Sequence, residues 1–130
     1  MTATATPTVR VVKADQHTSE TAQTTGFTRT ELVSAPGAWL GVTRTPTSSV
    51  SGWHHHGDYD TYIYILDGQA RVDFGVTGCD TCDAGPGDLV IVPKGAVHRE
   101  ANTGSSENAV LVVRVGTGQV VFNVDSPPDA

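Results

Sequence analysis

The feature that most constrains the fold of this chain is a series of short apolar runs, rich in Val, Ile and Thr, that are separated by turn residues. β-Branched and aromatic residues favour strands, and none of the runs has the periodicity of a helix. The continuous run at 89–93 is expected to form a strand that is buried on both faces. Asp67–Gly68 is a strong signal for a hairpin between two strands. The sequence therefore predicts an all-β protein.

The predicted strands belong to one domain, because 130 residues are enough for one core and too few for two. We expect residues 1–25 to form a partly disordered N-terminal arm, residues 26–124 the folded domain and residues 125–130 a flexible tail. Residues 14–26 and 76–87 are predicted to be loops. Short strands at this spacing favour a closed or sandwiched antiparallel barrel. The predicted strands are 9–13 (a possible first strand), 27–33, 38–46, 61–66, 69–75, 89–93, 97–102, 109–115 and 119–124.

Composition argues against several partners and locations. The net charge is −6 and no basic cluster is present, so a nucleic-acid partner is not expected. No apolar run is long enough to span a membrane. The N-terminus lacks the apolar segment of a signal peptide, so we expect a cytoplasmic protein. Cys79 and Cys82 are too few for a disulfide framework and are expected to lie in a solvent-exposed loop.

Three histidines are the strongest candidates for a functional site. His54 and His56 are two residues apart, and side chains alternate between the faces of a strand, so both point to one side. His55 then points to the other side. His98 follows a Pro-x-Gly turn in a distant part of the chain. Neutral imidazole nitrogen binds iron, nickel, copper and zinc, so His54, His56 and His98 together make a plausible metal site.

The residues around His98 form a known motif. The spacing G-x5-P-x-G-x2-H-x3-N is complete in this chain, at Gly87, Pro93, Gly95, His98 and Asn102. Because this is the second motif of the cupin family, the chain resembles a small single-domain cupin. The resemblance implies that residues 26–124 fold as a double-stranded β-helix, the jelly-roll barrel of the cupins, with the site inside. It also implies one divalent metal ion, which could be Fe2+, Mn2+, Ni2+, Cu2+ or Zn2+, held by the three histidines.

The first cupin motif, G-x5-H-x-H-x(3,4)-E-x6-G, is only partly present. His54, His56 and Gly68 match it, but the opening glycine and the glutamate have no counterpart at the required spacing. Counting forward from His56 puts Asp60 in the position of the glutamate. Counting back from Gly68 puts Thr61 there. The fourth ligand of the metal therefore stays open at this point.

Two registers are possible for the strand that follows. If Asp60 faces inward, it could be the fourth metal ligand, and strict alternation turns Tyr62 inward as well. In the other register Thr61 and Ile63 face inward. A β-bulge between residues 60 and 62 would reconcile an inward Asp60 with inward isoleucines.

Glu100 and Tyr62 are the candidates for catalytic side chains. Glu100 lies two residues after His98 and shares its face of the strand. It could orient a histidine or act as a general base, and the alternative is a solvated residue at the rim. Tyr62 could hold a substrate oxygen if it faces the pocket, and is otherwise a packing residue.

The resemblance implies chemistry on a small polar organic molecule that chelates the metal. A dioxygenase-type oxidoreductase with an iron, nickel or copper centre is the leading hypothesis. The alternatives are a metal-assisted isomerase, cyclase or lyase, and a cupin that binds a ligand without catalysis. The sequence shows no helix-turn-helix, which argues against a stand-alone regulator. Small cupins commonly pair through sheet edges, so a homodimer is expected, with the terminal strands supplying the edge.

Overall fold

A computed structural model describes residues 6–20 and 27–128 of the protein. These residues contain one short 3-10 helix, Ala14–Gln16, and none of their helices has the length and hydrophobicity to cross a membrane. The predictions for residues 1–5, 21–26 and 129–130, which include part of the arm and of the tail, lie outside the described residues. The strands are β1 (Thr18–Glu20), β2 (Thr28–Ala35), β3 (Ala38–Thr45), β4 (His54–His55), β5 (Asp60–Asp67), β6 (Ala70–Phe74), β7 (Asp80–Ala84), β8 (Leu89–Val92), β9 (His98–Ala101), β10 (Asn108–Val115) and β11 (Phe122–Asn123).

The strands form two antiparallel sheets. The order in the six-stranded sheet is β1-β2-β3-β10-β5-β8, and the order in the five-stranded sheet is β11-β4-β9-β6-β7. Many neighbours within a sheet are far apart in the sequence, because the chain crosses repeatedly from one sheet to the other, as it does in a jelly roll. The predicted all-β fold, a double-stranded β-helix, is confirmed.

The apolar core lies between the two sheets. Burying one large aliphatic side chain contributes about 1.5–3 kcal/mol before the loss of entropy is counted. Close packing of such side chains keeps the inner faces of the sheets at a fixed separation. The core side chains come from β5, β8 and β10 on one side and from β6 and β7 on the other: Ile63, Ile65, Val72, Ala84, Val90, Val92, Val110 and Val112.

The register of β5 answers the question that the sequence left open. Thr61 is 1% exposed and Ile63 is buried beside it, so this face of the strand points inward. The pairing of β5 with β10 is continuous from Asp60 to Tyr62, so no bulge turns Asp60 to the same side. The register with Thr61 inward is confirmed, and the register with Asp60 and Tyr62 inward is wrong.

Three strand predictions differ from the structure because of local composition. Residues 9–13 form no strand, and the first strand is β1, which lies in the predicted loop 14–26 and pairs with β2. The predicted strand 119–124 is reduced to the two residues of β11. The predicted loop 76–87 contains β7, whose residues 80–83 are exposed and mostly polar. They therefore lack the apolar alternation by which a strand is recognised.

Two further predictions fail because the sequence does not show which strands pair. Asp67–Gly68 joins β5 to β6, but these strands lie in different sheets, so the turn is a crossover and not a hairpin. Gly68 has a φ of 80°, a conformation that glycine adopts without strain. β8 is an edge strand in which Leu89 and Ile91 are 52% and 61% exposed, while the two valines that alternate with them are buried. The prediction of a strand buried on both faces is wrong.

Candidate metal centre

Three histidines converge on the inner face of the five-stranded sheet. β4 and β9 are neighbours in this sheet, and His54 lies directly opposite His98 in their pairing. His56 follows β4 and, two residues after His54, points to the same side. All three side chains are buried, and the centroids of their rings are 4.4 to 5.1 Å apart. The structure thus brings together the three histidines that the sequence predicted as ligands.

Glu100 is the fourth member of this cluster. It lies on β9, and its carboxylate reaches the Nε2 atoms of two histidines: Oε1 is 2.9 Å from His98 and Oε2 is 3.5 Å from His54. One donor atom from each of His54, His56, His98 and Glu100 lies within 4.8 Å of the others. The cluster could therefore hold a metal ion.

Backbone carbonyls fix the orientation of all three imidazole rings. The Nδ1 atoms of His54, His56 and His98 lie 2.9 Å from the carbonyl oxygens of Gly52, Val120 and Ala96, respectively. A carbonyl oxygen only accepts hydrogen bonds, so each Nδ1 carries the donated proton. In the neutral ring the lone pair is then on Nε2. A hydrogen bond from the other ring nitrogen to a carbonyl is the usual support of a histidine that binds a metal.

The donor set fits a divalent metal ion. With its proton on Nδ1, a neutral His98 presents a lone pair to the carboxylate oxygen of Glu100 at 2.9 Å. Two lone pairs repel each other, so this contact requires a cation between the two groups or a second proton on the ring. Three imidazole nitrogens and one carboxylate are ligands that suit first-row divalent ions.

The pKa values of Glu100 and His56 favour the forms that a metal requires, whereas the raised pKa of His54 favours a proton that a metal would have to displace. Burial raises the pKa of Glu100, but the charge of His98 and hydrogen bonds from His54 and His98 outweigh it and hold the pKa well below its usual range. Burial and the positive charges of His98 and Arg114 lower the pKa of His56 to about 3. Burial also lowers the pKa of His54, but the hydrogen bond and charge of Glu100 outweigh it and raise the pKa overall. Glu100 is thus ionised and His56 neutral, as metal binding needs.

The short strands that carry the ligands are held from the outer side of the sheet. Arg99, which alternates with His98 and Glu100 and so faces away from the cluster, donates from Nε to Oδ2 of Asp73 on β6 at 2.8 Å. Its guanidinium also lies 4.6 Å from the ring centroid of Trp53, the residue before β4. We call Trp53, Asp73 and Arg99 the outer clamp. It links β9 to the strand on its other side and to the start of β4, so it supports the backbone that carries the ligands.

The two other candidates from the sequence, Asp60 and Tyr62, lie outside the cluster. The carboxylate of Asp60 accepts a hydrogen bond from the backbone N–H of Lys94, at 3.2 Å from Oδ1. Tyr62 lies on the outer face of β5, because the inner face carries the residues that alternate with it. The structure brings neither residue into the cluster. His55 faces away, as predicted, and its ring stacks on Phe122 with centroids 4.8 Å apart.

The sequence alone did not identify Glu100 as a metal ligand, nor the presence of two buried arginines at the site. Glu100 was predicted to share the face of His98, and the empty glutamate position of the first motif was the signal that it could replace a ligand. Arg29 and Arg114 were not predicted at the site at all. Arg114 continues the buried alternation of Val112 on β10, so the same period-2 pattern could have placed it inward.

A cavity of about 50 Å³ lies beside the cluster, between the sheets. Apart from five charged or metal-binding side chains, its lining is apolar or neutral. A volume of this size accommodates roughly three to five water molecules. The site therefore suits a ligand of only a few non-hydrogen atoms. The charged and metal-binding side chains that line it are His54, His56 and Glu100 from the five-stranded sheet, and Arg29 and Arg114 from the six-stranded sheet.

Comparisons with known sequences give two similarities of different extent. Residues 41–125 match the sequence profile of the cupin domain. Over 47 residues the chain is 38% identical to the uncharacterized protein YdbB of Bacillus subtilis (strain 168), an alignment that covers 36% of this chain and 40% of that protein. The chain therefore spans less than half the length of this relative.

Solved structures share the fold of this chain. The polyketide cyclase RemF from Streptomyces resistomycificus has a TM-score of 0.74 at 19% identity, over 94% of this chain and 91% of that one. An uncharacterized conserved protein with a double-stranded beta-helix domain from Klebsiella pneumoniae subsp. pneumoniae has a TM-score of 0.72 at 15% identity, over 92% and 100%. At such identities the similarity concerns the fold alone. With two antiparallel sheets, the histidines of both motifs inside the barrel and a profile match over residues 41–125, this chain belongs to the cupin family.

Proposed function

We propose that the protein is a metal-dependent enzyme that binds one divalent ion through His54, His56, His98 and Glu100 and acts on a small polar organic molecule. The observation that supports this proposal is the convergence of three inward imidazoles and one carboxylate beside a small cavity. Each imidazole is already held in the tautomer that leaves Nε2 available for a metal.

We propose a dioxygenase-type oxidoreductase as the reaction class, because imidazole-rich sites bind iron, copper and nickel. A bound ion of this kind would supply Lewis acidity and reactivity toward dioxygen. The residues of the chain then have separate tasks. The cluster binds the ion, the backbone carbonyls orient the rings, and the apolar lining of the cavity limits the access of water. The low pKa of Glu100 makes it a weak base, which supports a role as ligand over a role as general base.

Metal content tests this proposal directly. Untagged protein purified in the presence of divalent ions is expected to contain close to one equivalent of metal by mass spectrometry. His98→Ala should lose most of it, because it removes a donor and leaves Glu100 without its closest partner. His55→Ala is the matched control, since this neighbouring histidine points away from the cluster. Metal-free protein under all conditions, or equal losses in both variants, would contradict the proposal.

Dioxygen uptake separates the proposed class from its alternatives. Iron-loaded and zinc-loaded protein would be incubated with a panel of small hydroxy and oxo acids, in air and under nitrogen. A dioxygenase consumes dioxygen only in the iron-loaded form. Turnover of a panel compound under nitrogen by the zinc-loaded form would indicate an isomerase, cyclase or lyase instead. Saturable binding without turnover in either form would indicate a binding protein.

We also propose that the protein is a homodimer, as the resemblance implies. The outer face of β5 and β8 carries exposed apolar side chains, among them Tyr64, Leu66, Leu89 and Ile91, and β8 is a free edge of its sheet. Packing of this face against the same face of a second copy would cover the apolar side chains, and pairing through the edge would extend the sheet across both copies. The sequence suggested that the terminal strands form the dimer contact. We propose β8 instead, because residues 9–13 form no strand and β11 has only two residues. Sedimentation equilibrium should give the mass of two chains, and a monomer at micromolar concentration would contradict the proposal.

A cytoplasmic location is likewise proposed. Cys79 and Cys82 are both free and exposed. Exposed free thiols persist in a reducing compartment and tend to oxidise outside it. Fractionation of cells that express the full natural protein would test the location.

A further inference from the structure

Two arginines are buried on the inner face of the six-stranded sheet, opposite the metal cluster. Arg29 is 4% exposed and Arg114 is 3% exposed, and both line the same cavity as His54 and Glu100. Arginine keeps its charge at any physiological pH. Glu100 is the only acidic side chain in the described lining of this cavity. Guanidinium groups at the wall of a cavity are suited to binding an anionic ligand.

Both arginines contact the same aromatic ring, which helps to hold them in place. The guanidinium carbons of Arg114 and Arg29 lie 4.9 Å and 5.6 Å from the ring centroid of Trp39. The indole Nε1 donates to Glu31 at 2.9 Å, which fixes the ring. The ring lies over Gly41, where a Cβ atom would overlap it. Stacking on an aromatic face orients a guanidinium and leaves its edge free for hydrogen bonds.

Two threonines add hydroxyl groups to this wall. Thr61 is the cross-strand neighbour of Arg114, and Thr43 is the cross-strand neighbour of Arg29. Both side chains are buried and line the cavity, and neither hydroxyl has a hydrogen-bond partner among the described protein atoms. A buried hydroxyl without a partner is uncommon, and at the wall of a cavity it indicates a polar ligand or water. Each arginine therefore stands beside a hydroxyl that can donate to the same oxygen atoms.

We infer that the substrate is a small organic anion whose carboxylate is bound by Arg29 and Arg114, assisted by Thr43 and Thr61. This inference rests on the proposed function for the other end of the substrate, which would face the metal centre. A guanidinium has five N–H donors and binds carboxylates in a two-pronged manner, so either arginine can keep a protein partner and also contact the ligand. The cavity of about 50 Å³ limits the anion to a few non-hydrogen atoms.

Glycolate and its neutral counterpart glycolamide test this inference, since they have nearly the same shape and differ in charge. Calorimetric titration would be done on zinc-loaded and on metal-free protein. We expect glycolate to bind at least about tenfold more tightly than glycolamide, a difference of about 1.4 kcal/mol. Arg114→Gln and Arg29→Gln should each reduce this ratio severalfold. Arg44→Gln is the matched control, because Arg44 is exposed and pairs with Glu107 at the surface.

A variant that folds normally is needed, because a folding defect would also reduce the binding of glycolate. Thr61→Val keeps the shape of the side chain, should fold normally by circular dichroism, and should weaken glycolate severalfold while leaving glycolamide nearly unchanged. Equal binding of the two compounds by the natural protein, or a ratio that survives Arg114→Gln, Arg29→Gln and Thr61→Val, would overturn the inference.

The metal-free arm separates this inference from the proposed function. If the protein binds no metal but still prefers glycolate through Arg114, the proposed function fails and the anion site stands. If the protein binds metal and shows no preference for glycolate, the anion site fails alone.

Discussion

The inner faces of the two sheets form two walls of the cavity, which differ in the side chains they carry and in how those side chains are held. On the five-stranded sheet, the side chains at the cavity are imidazoles and a carboxylate, whose charge depends on protons and on a metal. On the six-stranded sheet, they are guanidinium groups, whose charge is permanent. The difference indicates that one wall is suited to a cation and the other to an anion. A ligand between them would face the metal ion on one side and two guanidinium groups on the other, so both sides would attract the electron-rich atoms of an anion.

The walls also differ in how their side chains are held. The histidines lie on or next to short strands, β4 with two residues and β9 with four, and carbonyls of the backbone orient the rings. The arginines lie on β2 and β10, which have eight residues each, and stack on Trp39. The metal wall is thus supported mainly by loop backbone, and the arginine wall by regular sheet.

The largest effect is expected from removing the charge on the metal wall. Glu100→Gln keeps the size of the side chain but replaces a carboxylate by a weaker, neutral ligand, so metal affinity should fall at least about 100-fold. Competition with a chelator of known affinity measures this change. Asp60→Asn is the matched control and should leave the affinity unchanged, because Asp60 contacts the backbone of Lys94 instead. Equal effects of both substitutions would show that the carboxylate ligand has been assigned to the wrong residue.

A smaller effect is expected from disturbing the arginine wall. Gly41→Ala places a methyl group where the indole ring of Trp39 lies, so the ring must shift away from the arginines. We expect a loss of about 1–3 kcal/mol in the free energy of unfolding, and a weaker preference for glycolate over glycolamide. Chemical denaturation and titration measure the two changes. Gly85→Ala, where a Cβ atom would meet only the end of the Gln69 side chain at 3.3 Å or more, serves as the control. Unchanged metal affinity in Gly41→Ala would show that the walls act separately.

The outer clamp should contribute about 1 kcal/mol at neutral pH, since its arginine is partly exposed. Burial raises the pKa of Asp73, but hydrogen bonds from Arg99 and Arg71 outweigh it and lower the pKa below its ordinary value of 3.8. A group with a lowered folded pKa stabilises the protein above the unfolded value, and this stabilisation is lost as pH falls through the folded pKa. Asp73→Asn should therefore be less stable than the natural protein at pH 6, and the difference should shrink below pH 3.8.

Urea denaturation of Asp73→Asn at several pH values measures this difference. Asp125→Asn is the control, because Asp125 is exposed. A difference between the natural protein and Asp73→Asn that stays constant from pH 6 to pH 3 would show that the ion pairs with Arg99 and Arg71 do not stabilise the fold.

The smallest expected effect is a gain in stability, where the other variants should lose stability or affinity. Thr61→Val removes a buried hydroxyl that has no partner among the described protein atoms and keeps the shape of the side chain. Without ligand, the variant should be as stable as the natural protein or more stable, by up to about 1 kcal/mol. Thermal unfolding measures the change, with the exposed Thr117→Val as control. A clear loss of stability would mean that the hydroxyl supports the fold and is not kept for a ligand.

The two walls were not equally predictable from the sequence. The metal wall has a motif with fixed spacing, so alternation along one strand and a turn before His98 were enough to bring the histidines together. Glu100 as a ligand was not predicted, because the motif expects the carboxylate near Thr61. The arginine wall has no motif, and the position of Arg29 beside Thr43 depends on which strands pair. That information is not local. For the same reason Asp67–Gly68 was predicted as a hairpin although it is a crossover.

The carbonyl that orients His56 belongs to Val120, which is 64 residues further along the chain. Asn123 of β11, close to that carbonyl, pairs with His54 of β4. A nascent chain therefore cannot form the complete support of the cluster until residue 120 has left the ribosome. Before that point the chain already carries His54, His56 and His98, but the carbonyl that orients His56 is missing. A metal ion that requires all three oriented rings would then bind after the barrel has closed.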